Sequence, residues 1–218
     1  MCLDQLRDEV CRVNRDLFSL GLVTMHSGNA SGIDWQSRRL VIKPSGVDYQ
    51  RLTPEMLVEV ELDSGNPVAG SLRPSVDLPH HLYLYRRWPS LGGVVHTHSN
   101  HATAFAACSR AIPLCLTAIA DEFGGEIPCT PFAECDGDHL GRLIVKHRGR
   151  APAILIANHG VFTWGPTPQA ALKAAVMTED VAKTVLLAMQ LGGLQDIPVA
   201  SAEKYYDRYQ NRYGQRAA

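Results

Sequence analysis

The stretch Val94-Val95-His96-Thr97-His98-Ser99 constrains this chain more than any other. It reads as a short apolar β-strand that ends in two histidines. Side chains two apart on a strand share a face, so His96 and His98 present their imidazoles to one side. A pair of imidazoles on one side of a buried strand calls for further ligands from elsewhere in the chain. Two candidates stand out. Asp77 opens a predicted helix, and His159 follows the apolar run Ala153-Ile154-Leu155-Ile156-Ala157 in the turn Asn158-His159-Gly160. Three histidines and one carboxylate suit a zinc-type divalent ion with positions left for substrate oxygen. Manganese or cobalt is also possible.

Length sets the next bound. At 218 residues the chain can bury one sizeable core but falls short of the roughly 250 residues typical of a (β/α)₈ barrel. We expect one domain spanning residues 1–218. The formal net charge of −1 provides no overall field for nucleic acid or an anionic membrane surface. No apolar run approaches the length of a spanning helix, and the N-terminus lacks a secretory pattern. Six cysteines, at 2, 11, 108, 115, 129 and 135, form no CxxC pair. They read as free thiols in a reducing cytoplasm. Cys129 reads as a small, buried apolar residue rather than a nucleophile.

Periodicity outlines the elements. Leu3, Leu6, Val10, Val13 and Leu17 predict a first helix that stops near Gly21. Leu40–Lys43 and Val58–Leu62 read as strands, with Asp63-Ser64-Gly65-Asn66 as a hairpin turn. Helices are predicted over Ser75–Arg87, His101–Cys108 and Asp138–His147. Strand-like pieces fall at Ile112–Leu116 and Ile127–Thr130. Strands at Ala153–Ala157 and Val161–Trp164 flank His159. A long helix begins after Thr167 with Pro168 in its first position and runs to about Leu191, carrying Glu179 and Lys183 as an i,i+4 pair. Hairpins in the first half and irregularly spaced helices exclude a doubly wound parallel sheet. The predicted class is α/β, with a central, mixed and largely antiparallel sheet flanked by helices.

With these motifs in place, the chain resembles the class II aldolase/adducin family along nearly its whole length. The matching segments are Ser27-Gly28-Asn29-Ala30-Ser31, Ile42-Lys43-Pro44-Ser45-Gly46-Val47-Asp48-Tyr49, Pro74-Ser75-Val76-Asp77 and Gly93 to Ser99. Ala120-Asp121, Ile127-Pro128-Cys129-Thr130, Asn158-His159-Gly160 and the terminal Tyr213-Gly214-Gln215 match as well. Within the family these segments look most like the L-ribulose-5-phosphate 4-epimerases. The resemblance implies metal ligands Asp77, His96, His98 and His159. It implies a substrate phosphate held by Gly28, Asn29, Lys43, Ser45, Gly46, Ser75 and Val76. Asp121 and Tyr213 are implied as acid/base residues, Tyr213 arriving from a neighbouring subunit of a homotetramer with active sites between subunits. The implied activity is a zinc-dependent 4-epimerase of a phosphorylated ketose. It would work by retro-aldol cleavage and re-addition, with a divalent ion stabilising the enediolate. The alternative is a ketose-phosphate aldolase, a lyase resembling L-fuculose-1-phosphate aldolase. Three positions depart from the epimerase pattern: Val76 stands where the family often has serine, and Ile119 and Tyr205 where epimerases tend to have histidine. His80, His81, His101 and His139 are read as structural, with His81 and Tyr85 on one helix face near the site.

Overall fold

The computed structural model describes residues 2–69 and 72–215. Seven strands form a single sheet: β1 (Asn29–Asp34), β2 (Arg39–Ile42), β3 (Val58–Glu61), β4 (Pro67–Ala69), β5 (Gly93–Thr97), β6 (Ala153–Ile156) and β7 (Gly160–Gly165). Their spatial order is β4-β3-β2-β1-β5-β7-β6, and every neighbouring pair runs antiparallel. Seven α-helices accompany them: α1 (Leu3–Ser19), α2 (Leu78–Arg87), α3 (Asn100–Ala107), α4 (Thr117–Phe123), α5 (His139–His147), α6 (Pro168–Gln190) and α7 (Val199–Arg212). This is the helix-flanked, largely antiparallel sheet expected from the sequence.

Alternation along the strands assigns the two faces. Ile33 of β1, Val94 of β5, and Phe162 and Trp164 of β7 pack with α2 and α5, through Leu82, Leu84, Tyr85, Leu140 and Ile144. Ala30 and Val95 point the other way and pack with α1 and α6. Leu155 and Val161 share that second face with α3, α4 and α6. The cross-strand register places Asn29 opposite His96 and His96 opposite Phe162, so all three lie on the α2 side. Asn14, buried in α1, holds both polar groups of the Ala30 backbone, donating to its carbonyl at 3.1 Å and accepting from its N–H at 2.8 Å. That clamp fixes the first residues of β1 beside the metal-ligand candidates.

Several sequence expectations need correction. No element is predicted from the sequence at Ser27–Ser31, but Asn29 opens β1, which sits between β2 and β5. Glycine and small polar residues hid the alternation of this strand. Ile112–Leu116 and Ile127–Thr130 are not strands; they contribute only isolated bridges, Ile112 to Ile127 and Cys129 to Leu155. The residues between them form α4, too short for its periodicity to register. Glu179 does not pair with Lys183 among the described residues. Its carboxylate instead accepts from the backbone N–H groups of His101 and Ala102 and lies 2.6 Å from His101 Nδ1. The first turn of α3 is thus tied to α6, because unsatisfied N–H groups at a helix start favour a carboxylate. All six cysteines are free. No helix among the described residues is long and apolar enough to cross a membrane.

Candidate active site

Three imidazoles meet at one end of the central strands. His96 is the fourth residue of β5, His98 lies one residue beyond that strand, and His159 sits in the hairpin between β6 and β7. The Nε2 atoms of His98 and His159 each lie 3.0 Å from His96 Nε2. His96 Nδ1 is 2.9 Å from the Val161 carbonyl, which makes Nδ1 the protonated nitrogen and turns a bare Nε2 towards the cluster. One in-plane lone pair cannot serve two donors well. Three lone pairs converging on one point is instead the geometry that suits a shared cation. Burial pushes the His96 imidazole down to about 3, and His98 and His159 are lowered for the same reason. All three are therefore neutral, ligand-ready groups near pH 7.

The backbone explains why Asn-His-Gly stands at this hairpin. Asn158 takes a left-handed conformation, φ 58°, which asparagine tolerates. A Cβ on Gly160 would come within 2.5 Å of the Thr97 carbonyl and 2.6 Å of His98 Cδ2. Only glycine lets the hairpin approach the HxH strand closely enough to bring in His159.

Asp77 occupies the residue before α2 without capping that helix through its side chain. Its Oδ2 accepts from Asn29 Nδ2 at 2.6 Å and from Ser75 Oγ at 3.4 Å. Burial works against its charge, but the balance with its surroundings, the Asn29 hydrogen bond among them, holds the carboxyl below its usual range. Asp77 is an ionised carboxylate at the edge of the three histidines, though its oxygens fall outside their tight cluster.

A cleft of about 270 Å³ runs from the histidines past Asp77 to His26, Ser27, Gly28, Asn29, Lys43, Pro44, Ser45, Ser75 and Val76. Lys43 is buried, with Nζ 4.6 Å from the centre of the Tyr49 ring and 3.3 Å from the Pro44 carbonyl. Burial lowers its pKa to about 8, against an opposing pull from Asp48. Tyr49 Oη donates to the Ser27 and Gly28 carbonyls at 2.8 and 2.6 Å, pinning that turn. The Ser45 and Ser75 N–H groups are not free for a ligand. They pair across a small bridge, with Arg73 and Lys43 carbonyls respectively. The Ser45 hydroxyl and the Lys43 cation remain as anion-binding groups, while the Ser75 hydroxyl is turned to Asp77 Oδ2 and accepts from Asn29 Nδ2 at 3.0 Å. Gly46, with φ 69°, shapes the adjoining turn without lining the cleft. Val76 stands at the rim, 79% exposed.

Asp121 and Tyr213 lie outside this cleft. Asp121, on α4, faces Arg208 of α7 at 3.3 Å, and its carbonyl accepts from Gln210. Tyr213 follows α7, 70% exposed, its ring stacked on Tyr209 at 4.9 Å. The two share one packed pair of helices, α4 and α7, but one copy of the chain does not bring them to the histidines. Three residues that line or support the cleft had no assigned role in the sequence. Tyr49 was visible only as part of a motif. His26 carried no spacing signal. Cys135, whose Sγ is 2.9 Å from His159 Nδ1, lies in an irregular segment with no pattern to follow.

Comparison with known proteins agrees with this architecture. The family model for the class II aldolase and adducin N-terminal domain matches residues 8–186. An L-fuculose 1-phosphate aldolase superposes with a TM-score of 0.87 at 23% identity, over 96% of this chain and 98% of that one. The l-fuculose-1-phosphate aldolase from Thermus thermophilus is 29% identical, with a TM-score of 0.69 over 87% and 97%. A sugar-phosphate aldolase from Thermotoga maritima gives 0.70 at 18% identity, over 89% and 98%. The family match over residues 8–186, most of the chain's length, places this chain in the class II aldolase and adducin family.

Proposed function

We propose that the chain is a metal-dependent carbon–carbon lyase of the aldolase type that acts on a phosphorylated ketose. The observation that carries the reading is the convergence of three neutral imidazoles at one end of a cleft whose other end holds a buried lysine and the Ser45 hydroxyl. His96, His98 and His159, with Asp77 beside them, would hold a divalent ion, zinc first and manganese or cobalt as alternatives. When bound, the ion supplies Lewis-acid stabilisation of the negative charge that develops on a sugar oxygen.

The protein's own residues do the rest. Lys43 and the Ser45 hydroxyl hold the phosphate, with Val76 removing one donor from that wall. Asn29 fixes the Asp77 carboxylate. The aldehyde half needs a proton exchanged at its oxygen. Asp121 and Tyr213 fill that role when α4 and α7 of a neighbouring copy close over the cleft in a homotetramer. The Thermus thermophilus relative, named as an l-fuculose-1-phosphate aldolase, supports the lyase outcome.

A 4-epimerase is the second reading. It uses the same bond cleavage but retains the aldehyde, rotates it and re-adds it with C4 inverted. The pairing of a carboxylate and a phenol on one helix pair favours it, since each could serve one face of the rotating aldehyde.

The test is product analysis by NMR, with metal-loaded protein and the phosphorylated ketoses L-fuculose 1-phosphate and L-ribulose 5-phosphate. Dihydroxyacetone phosphate and a free aldehyde from the 1-phosphate support the lyase. Recovery of ketose 5-phosphate with inverted C4 and no fragments replaces it with the epimerase. Turnover confined to unphosphorylated sugars removes the phosphate reading.

A further inference from the structure

Asp77, His81 and Tyr85 are spaced i, i+4 and i+8 along the start and body of α2, so they stand in one row. The row lies against Asn29 and Ser31, which share one face of β1 by the strand period of two. Each member of the row has a rung. Asn29 Nδ2 donates to Asp77, Ser31 Oγ is 2.7 Å from His81 Nδ1, and the same Oγ is 3.0 Å from Tyr85 Oη. Ser31, His81 and Tyr85 are each 0% exposed and sit among Leu84, Val94 and Phe162. Polar side chains this deep are costly unless their bonding is specific.

Two atoms of the seam lack a partner, Asn29 Oδ1 and His81 Nε2. His81 Nε2 is buried and makes no hydrogen bond. Three observations orient that atom. Nδ1 is fixed on Ser31. A helical side chain leans back over the preceding turn, which here begins at Asp77. Burial pushes the imidazole down to about 4 and keeps it neutral, against the smaller opposing pull of the Asp77 charge. Beside an ionised carboxylate, the favoured tautomer carries its hydrogen on Nε2 and leaves Nδ1 to accept from Ser31. At its other end the chain of bonds stops at Tyr85, which reaches no solvent. It is therefore no proton path and can only orient.

We propose that this seam positions the carboxylate of the metal centre: Tyr85 and Ser31 hold the His81 ring, and the His81 Nε2–H edge, with Asn29 and Ser75, sets which oxygen of Asp77 faces the three histidines. Oδ2 is occupied by Asn29 and Ser75, which leaves Oδ1 for the ion. His81 is a positioning residue here and not a ligand. The inference rests on the reading of Asp77 as a ligand.

The test uses the full-length protein loaded with Co²⁺, whose visible absorption reports ligand geometry independently of turnover. Asp77→Asn should shift the bands and weaken Co²⁺ binding. His81→Leu should shift them too, with binding weakened by about tenfold, as for loss of an outer-shell partner. Tyr85→Phe and Ser31→Ala should move the bands in the same direction by less, and they decide the matter if His81→Leu does not fold. Wild-type bands and affinity in folded His81→Leu, or in both Tyr85→Phe and Ser31→Ala, with Asp77→Asn altered, overturn the seam alone. An unaltered Asp77→Asn overturns the ligand reading, and the seam with it.

Discussion

A neutral imidazole binds a metal ion and an imidazolium does not, so the burial of His96 bears directly on affinity. His96→Asn removes the ligand that the other two rings face. Bound metal, read by elemental analysis, should fall by more than the roughly 10–100-fold that losing an outer-shell partner costs. Circular dichroism should stay near wild type, because β5 keeps its backbone partners on both sides. A ring nitrogen contributed from elsewhere would show itself as undiminished metal content. Lys43 makes a pH prediction at the same scale. Burial brings its pKa to about 8, so it is a cation below that pH and loses its charge above it. If it holds the phosphate, kcat/KM for a phosphorylated ketose should fall as pH rises through about 8. That limb should vanish in Lys43→Met, whose kcat/KM is low throughout. The sign for stability is opposite. A lysine with a folded pKa below its unfolded value near 10.4 costs stability while charged, and the cost is relieved as pH rises from about 8 to 10. Urea midpoints of wild type and Lys43→Met at pH 7 and 9.5 should therefore converge at the higher pH.

At the scale of elements, the site depends on two close approaches. The β6–β7 hairpin comes against the end of β5 only because residue 160 has no Cβ. Gly160→Ala must push the Thr97 carbonyl or the hairpin aside. Overpacking of this kind costs about 1–3 kcal/mol, and it should separate His159 from His98. Expected results are a lower Tm and weaker metal binding, with the second lost even at temperatures where the fold is intact. Retained metal affinity in Gly160→Ala would mean that the hairpin has more freedom than this contact allows. The second approach is that of α3 to α6. Glu179 accepts two backbone N–H groups of α3 and faces His101, three residues after His98. Glu179→Ala leaves those partly buried donors unsatisfied, at a cost of about 1–3 kcal/mol. A urea midpoint unchanged from wild type would show that water replaces the carboxylate at no cost.

At the scale of the whole molecule, the chain separates its candidate groups. The histidines, Asp77, Lys43 and Ser45 share one cleft, while Asp121 lies on α4 and Tyr213 follows α7. If a neighbouring copy supplies them, inactive variants should complement. Co-expressed Tyr213→Phe and His98→Asn subunits would form some sites with every group intact, and the mixed assembly should regain part of the wild-type activity. General acid/base groups are worth about 10²–10⁴-fold in rate, so a modest fraction of restored sites stands far above either parent. Activity of the mixture no higher than the sum of its parents would place Tyr213 and the histidines in the same copy.

Local periodicity was enough to read α1, α2, α5, α6 and the β6–β7 hairpin, because each buries one face and its apolar residues recur at the matching interval. It was also enough to pick out His96 and His98, since two residues apart on a strand means one side. Asp77 and His159 stood out as further candidates at the start of a predicted helix and in the turn after an apolar strand, and the resemblance carried by Pro74 to Asp77 and Asn158 to Gly160 pointed to the same two residues. What periodicity could not reach depends on partners distant in the chain. β1 was missed because Gly28, Ser31 and Gly32 are small for reasons set by neighbouring backbone and side chains: a Cβ at Gly28 would meet the His96 carbonyl at 2.7 Å, and one at Gly32 would meet Leu6. The partner of Glu179 was decided by the docking of α3 on α6 rather than by its spacing from Lys183. The seam of Asp77, His81 and Tyr85 against Asn29 and Ser31 exists only where a helical interval of four meets a strand interval of two. Residue spacing thus determined most of the elements and the pairing of His96 with His98. Only the packing of helix on sheet decided which polar groups those side chains face, because a hydrogen bond across elements is set by register and distance, and neither is written in the local order of residues.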